Sequence, residues 1–509
     1  MTGKKIKLIA LGLVVCFALG GCTEKGGNSS TLDDDTVEKH DVIVIGGGIA
    51  GLTSGYYLRN EDVLVLEKKG AVGGRTISAM NKSFTYAKGT EYLGTPENPL
   101  TQMINELNLE PKEIPSPMDA YFDGDSFYYG TDGIRRYLIN NSSMEDYMNF
   151  TSLLSDEYDI YDEIPDIEYN EVAEKLDYLS ASQWLRKNGI PDVFVKKYNV
   201  SSKGLFGANM EEISALSFIP EAAYDYEGEV NEKLSTEDYL NYNEEDLEQE
   251  YADAKNEKSG SYSFEKGLTE LTDELGKVLG EKVRLNSTVI SVKKTDKGYN
   301  VIYMDGDKKE HSIFTNKVVL AVPAPEALKI ASSVLSKERK ELMETVEYSS
   351  YATVALFSET PIFNKAFDLA VPDEYYFTDV YDATWVERAY NKEKQNAKEY
   401  IASVYVAPKS GKDHTLDSIS DEELLKNIYA DLDRIFPNAS SKVTGYDIEK
   451  FPYAYPIMST GAYKRLLSLD RLNHGSLILA GDYMVYPTFE AAVQSGHLAA
   501  KRILEMKDK

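Results

Sequence analysis

Three glycines spaced Gly46-x-Gly48-x-x-Gly51 follow a β-branched apolar run, DVIVI, and precede a stretch able to form a helix. That spacing suits a bound pyrophosphate. Gly46 allows a tight turn out of a strand, Gly48 lets phosphate oxygens approach the backbone, and Gly51 lets the helix pack on the sheet. Ile49 and Ala50 offer amides at the helix start, where anions bind. A second apolar run, VLVLE, ends in Glu67, at the distance of about 20 residues where a carboxylate accepts from ribose hydroxyls. An unphosphorylated dinucleotide is expected, with FAD and NAD both open at this point.

Two further clusters carry the same kind of chemistry. Gly73-Gly74-Arg75-Thr76 pairs close backbone approach with a fixed cation. Far downstream, LILAGDYMVYPTFEAAVQSG runs from an apolar strand into Gly481-Asp482 and then a helix with small residues on one face. The helix start near Thr488 would aim its positive end at accumulating negative charge.

The run from Lys68 to Thr76 resembles the second flavin motif of the flavin-containing amine oxidase superfamily, which includes monoamine and polyamine oxidases, protoporphyrinogen oxidases and carotenoid desaturases. KGTEYLG at 88–94 is similar to that family's segment along the flavin edge, with Thr90 and Glu91 as contacts. LAGDY resembles its third flavin motif. The resemblance implies FAD, with Val289 contributing backbone groups to adenine, Asp482 facing the ribityl or pyrophosphate region, and Phe489 offering its amide near N1 and the C2 carbonyl. Alignment of ATVALFSETPIF puts Thr353 where amine oxidases usually carry a lysine beside N5. Tyr455, Tyr483 and Tyr486 are candidate pocket walls; Tyr455-Pro456 resembles the protoporphyrinogen oxidase and desaturase version of this stretch.

These motifs imply an α/β fold: a Rossmann-like FAD-binding domain built from discontinuous segments, with an inserted α+β substrate domain. The expected boundaries are 40–110, 261–330 and 446–509 for the FAD domain, and 111–260 and 331–445 for the substrate domain. Within the latter, AYFDGDSFYYG predicts a hairpin turning at Asp123-Gly124. Helices are predicted over 145–162 and 182–187, and the polar 225–258 reads as a solvated excursion. Ser420-Asp421-Glu422-Glu423 reads as a capping box starting a helix whose Leu424, Ile428, Leu432 and Ile435 face a core.

The 509 residues carry 84 Asp and Glu against 55 Lys and Arg, a formal charge of −29. Such a surface repels phosphate backbones and argues against a nucleic-acid partner. Lys4, Lys5 and Lys7 precede an apolar run too short to span a bilayer, closed by Leu19-Gly20-Gly21-Cys22. Residues 1–22 therefore read as a signal peptide that resembles a bacterial lipoprotein box, with Cys22 lipidated and residues 23–39 as a flexible tether. The expected product is an exported lipoprotein anchored to the cell membrane, facing away from the cytoplasm. Both cysteines, Cys16 and Cys22, lie in this leader, so a cysteinyl flavin bond, thiolate metal site or cysteine nucleophile is excluded beyond it and no metal is expected. The leader lacks the arginine pair used to export folded cofactor proteins, so FAD would be loaded after export.

The expected activity is removal of a hydride from a small organic substrate, foremost an amine, with electrons passed to oxygen or another acceptor. The alternatives are a desaturase-like or protoporphyrinogen-oxidase-like enzyme on an apolar substrate, and a non-catalytic flavin-bearing electron-transfer or binding lipoprotein.

Overall fold

The structure, a computed structural model, describes residues 38–158, 164–224 and 243–506. Cys22, the leader and nearly all of the tether lie outside the described residues. Residues 38 onward form one compact unit organised around two large sheets.

The first sheet runs in the order Thr288–Lys294, Tyr299–Met304, Glu310–Leu320, Glu38–Ile45, Val63–Leu66, Val283–Arg284. Its centre is parallel: Glu38–Ile45 pairs with both Glu310–Leu320 and Val63–Leu66. Val42, Ile43, Val44 and Ile45 are all buried, as expected for a strand covered on both faces. The long strand Glu310–Leu320 changes partner along its length. Its first half pairs with Tyr299–Met304 and its end with Leu477–Leu479, which arrives in parallel. Helix Ile49–Tyr57 lies against the C-terminal helix Phe489–Glu505 at close range, because Gly496 has no side chain there. A Cβ on Gly496 would stand 2.3 Å from Ala50 O. Ser54 Oγ bridges the two helices, donating toward Ala50 O and Gly496 O.

The second sheet runs Val443–Pro456, Tyr348–Ser358, Tyr400–Val406, Asp379–Asp382, Asp368–Ala370, Asp119–Phe122, Phe127–Tyr129. Period-two alternation divides it into two unlike faces. Ala352, Val354, Leu356, Leu369, Val380, Ala402 and Val404 form a core with helix Asp421–Ile435, whose Leu424, Ile428 and Leu432 are buried as the sequence predicts. Ser420 caps that helix by accepting from the Glu423 amide. The opposite face bears tyrosines and carboxylates.

The hairpin forms at Asp123-Gly124, between Asp119–Phe122 and Phe127–Tyr129. The helix predicted over 145–162 is Met144–Tyr158, with 159–163 outside the described residues. Two expectations change. Residues 446–456 belong to the second sheet, because Val443–Pro456 pairs along nearly the whole of Tyr348–Ser358; the first sheet is rejoined only at Leu477–Leu479. The 225–258 segment is not wholly a solvated excursion either. Residues 225–242 lie outside the described residues, but helix Glu244–Ala254 is docked by a buried pair, with Arg136 Nε and Nη2 donating to Glu250 at 2.8 and 3.0 Å.

Candidate active site

The C-terminal ends of four parallel strands of the first sheet meet at one place. Ile45, Leu66, Ala321 and Gly481 all border a single cavity of about 1210 Å³. Open parallel sheets bind ligands at this edge. Gly46 turns out of the first strand at φ +107°, where a Cβ would stand 2.3 Å from Ala321 O. Among the described residues, Gly51 is the one predicted site residue that does not border the cavity. A Cβ there would lie 1.9 Å from Gly46 O, so Gly51 seats the helix on the strand.

Gly48 and Gly74 meet back to back. The Gly73 amide donates to Gly47 O at 2.9 Å, and a Cβ on Gly48 would touch only Gly74 Cα, at 3.8 Å, and otherwise enter the cavity. Helix Ile49–Tyr57 has no side-chain cap. The first-turn amides, including those of Ile49 and Ala50, are therefore left for a ligand, and both residues border the cavity.

Glu67, 6% exposed, closes the second strand. Its Oε2 accepts from the Gly47 amide at 2.6 Å and its Oε1 from the Lys69 amide at 2.7 Å, which fixes the carboxylate beside the glycine loop. Val289 borders the same region, next to a bulge in its pairing with Tyr299–Met304. Arg75 joins three segments far apart in the chain: its Nη1 donates to Ala454 O and to Asp482 Oδ2, each at 2.6 Å. Burial opposes the guanidinium charge, but Asp482 outweighs it and raises the Arg75 pKa. Thr90 is held by its amide, which donates to Arg75 O. Phe489 begins the last helix, capped by Thr488 through the Ala491 amide. Glu490 accepts from the Gly94 amide at 2.8 Å, tying that helix to the 88–94 loop.

The tyrosine-bearing face of the second sheet forms the opposite wall. Thr353, Tyr405, Asp379 and Ala370 stand in register across four adjacent strands, and all border the cavity. Thr353 Oγ1 donates to Lys88 O at 2.8 Å; the Lys88 ammonium is held by Asp447 and Glu449. Tyr455, Tyr483 and Tyr486 border the cavity too. Tyr486 OH donates to Ser217 O, whereas Tyr483 OH is buried with no hydrogen-bond partner among the described residues. Glu91 lies between the walls, 3.0 Å from Tyr405 OH, and burial pushes its carboxyl up to about 8 against that hydrogen bond.

The reading of the sequence missed Tyr351, Tyr381, Tyr405 and the carboxylates Asp119, Asp368 and Asp379. Their signal is alternation: Tyr351-x-Thr353, Asp379-x-Tyr381 and Ser403-x-Tyr405 each set polar or aromatic residues between apolar ones. It is legible only once these short strands are known to share one sheet.

The family model described as flavin containing amine oxidoreductase matches residues 49–504. The chain belongs to that family. Rat amine oxidase B is 26% identical over 340 residues, 64% of this chain and 59% of the relative. Stretches shared with the curated relatives span between 14% and 59% of their lengths. Wild-type putrescine oxidase bound to putrescine has the same fold, with a TM-score of 0.69 and 18% identity over 92% of this chain and 99% of the other. A fatty acid isomerase from P. acnes that produces CLA does as well, at a TM-score of 0.62 and 15% identity over 92% and 98%. The fold alone therefore leaves the substrate open. FAD, the flavin group of this family, fits the residues present: backbone cradles at Gly48 and Gly74, uncapped helix amides, a buried carboxylate at Glu67, and a cation at Arg75.

The Arg75–Asp482 pair sets a measurable expectation. Asp482 has a side chain 7% exposed, so Arg75→Ala leaves a buried charge without its partner and costs about 3 kcal/mol in urea unfolding. The double variant R75A/D482N recovers most of that loss. An unchanged midpoint for R75A would contradict this role for the pair.

Proposed function

We propose that the protein oxidises amines: it binds FAD without a covalent bond, takes a hydride from a carbon beside a substrate nitrogen, and passes the electrons to oxygen or another acceptor. The observation that supports this above all is the pairing of walls in one cavity. The glycine loops, Glu67 and Arg75 stand on one side, and a sheet face of tyrosines and carboxylates on the other.

In this reading the first-sheet motifs form the FAD half of the unit and the second sheet the substrate half. Gly46, Gly48, Ile49 and Ala50 take the pyrophosphate, Glu67 the ribose, the backbone at Val289 the adenine, and Gly74, Arg75, Asp482 and Phe489 the middle and flavin end. When bound, FAD supplies a two-electron acceptor at N5. The chain's own residues bind the amine, orient it and keep water away. Tyr351, Tyr405 and Tyr455 form an edge-to-face wall, with ring centroids 6.1 Å apart for Tyr351–Tyr405 and 5.7 Å for Tyr351–Tyr455. An ammonium must lose a proton before a neighbouring C–H can leave as hydride. Glu91, titrating near neutrality beside Tyr405, is the group suited to hold that proton.

Carboxylates on the substrate wall attract a cation and repel the acid groups of a fatty acid or porphyrin. This favours an amine over the desaturase-like and protoporphyrinogen-oxidase-like alternatives. Purified protein is expected to carry oxidised flavin, released intact by denaturation. Anaerobic addition of amines should bleach it, while polyenes and porphyrinogens leave it oxidised. Bleaching by the apolar compounds alone would overturn the amine reading, and reduction only by a redox protein would point to an electron carrier.

We further propose that the chain is exported and anchored through lipid on Cys22. Among the described residues no helix is long and apolar enough to cross a membrane, so the anchor falls to the leader. Cys22→Ala is expected to move the protein out of the membrane fraction, and unchanged fractionation would refute the anchor.

A further inference from the structure

Glu91 stands at a partition. Besides the large cavity it lines a second one of about 30 Å³, and among the described residues it is the only residue that borders both. Its Oε1 lies 3.0 Å from Tyr405 OH, whereas its Oε2 has no hydrogen-bond partner among the described residues. On the large-cavity side the charged group nearest in effect is Asp368, which feels the Glu91 charge.

The small cavity is suited to water. About 10–15 Å³ suffices for one molecule, provided it finds roughly two to four polar partners. Ser263, Thr85, Glu387 and Glu265 line the cavity and supply them, and Ser263 Oγ already donates to Glu91 O at 3.3 Å. Glu387 is committed: it is 2% exposed, accepts from the Thr85 amide at 2.6 Å and holds the Lys394 ammonium. Tyr86 OH, on the same lining, is spent on Asp447. Glu265 is available. It is exposed, and among the described residues only Asn391 Nδ2, at 3.4 Å, donates to it. The small cavity therefore has a buried carboxyl and a surface carboxyl in one lining.

Amine oxidation gives this placement a use. When an ammonium ion loses a proton and a hydride, an iminium ion remains; the hydride goes to the bound flavin and one proton is left over. The substrate itself stands in the large cavity at that moment and obstructs the way back. We propose that the small cavity is a proton exit: the Glu91 carboxylate accepts the ammonium proton from the large cavity and passes it to water in the small one, and the proton leaves past Glu265 to solvent. This rests on the amine-oxidising reading and adds the route by which its proton departs. The bonds balance: N–H breaks as O–H forms on Glu91, that O–H breaks as water takes the proton, and one proton per flavin reaches solvent. Burial pushes the Glu91 carboxyl up to about 8, so it takes a proton from an ammonium more readily than an ordinary carboxylate does and gives it up to water above that pH.

The test fills the small cavity. Ala383 borders it and is absent from the lining of the large one, so Ala383→Leu closes the exit while leaving the flavin and amine walls in place. FAD-loaded parent and variant are mixed anaerobically with diaminooctane at about pH 8.5, where Glu91 starts mostly ionised, and flavin bleaching and a pH indicator are followed together. In the parent, one proton per flavin should appear as fast as the flavin bleaches. In A383L, bleaching should stay within about twofold while proton release lags at least about tenfold, a separation that a general loss of structure would not produce. Glu265→Lys, at an exposed position, should also delay release, by about threefold or more. In flavin-free A383L, loss of the water should raise the Glu91 carboxyl further, read from its infrared band as pH is varied. Proton release that keeps pace with bleaching in A383L, or in E265K should A383L fail to load flavin, would overturn the exit while leaving amine oxidation standing. Failure of diaminooctane and every other amine to reduce the flavin would overturn both.

Discussion

The ion pair between Arg75 and Asp482 holds the site together, since its two residues lie 407 positions apart and the arginine also reaches Ala454 O on the second sheet. One guanidinium thus fixes the relation of the early glycine loop, the last strand of the first sheet and the substrate wall. The burial is one-sided: the Asp482 side chain, 7% exposed, has little water to fall back on, while Arg75, 33% exposed, opens partly onto the cavity. The Gly48–Gly74 contact plays a similar part without charge: a Cβ on Gly74 would stand 3.1 Å from Gly48 Cα, tighter than ordinary contact.

Around that joint the fold divides labour between its two sheets. The first presents backbone amides and one buried carboxylate, groups suited to phosphate and ribose. The second presents tyrosines and aspartates from alternate positions of several adjacent strands, while its other face is an ordinary aliphatic core beneath helix Asp421–Ile435. In the proposed function, such unlike walls let the same space keep a flavin in place and draw in a cation. Burial raises the carboxyls of Glu91, Asp368 and Asp379 along that side of the cavity.

The first sheet was legible from the sequence because its elements announce themselves locally. DVIVI, the glycine spacing and Glu67 lie within one short stretch, and each glycine answers to a contact now visible in the fold, including Gly51, which packs and does not border the cavity. The substrate wall was not legible in the same way. Asp368 and Asp379 sit in strands of three and four residues, too short for alternation to stand out, and their proximity to Asp119 depends on a parallel pairing across some 250 residues of chain. Thr353 was placed by alignment alone, and its hydroxyl is spent on Lys88 O. Residues 446–456, which the expected boundaries group with the FAD segment 446–509, pair instead along Tyr348–Ser358 in the second sheet, a long-range pairing that no local pattern announces.

In the proposed function the amine carbon meets the flavin directly inside this cavity. The most direct measurement is the rate of anaerobic flavin reduction by diaminooctane, ordinary and deuterated at the carbons next to nitrogen. The expected result is reduction that saturates with amine and is several-fold slower for the deuterated compound. Reduction at equal rates for the two, or tight binding of the amine with the flavin left oxidised, would contradict it.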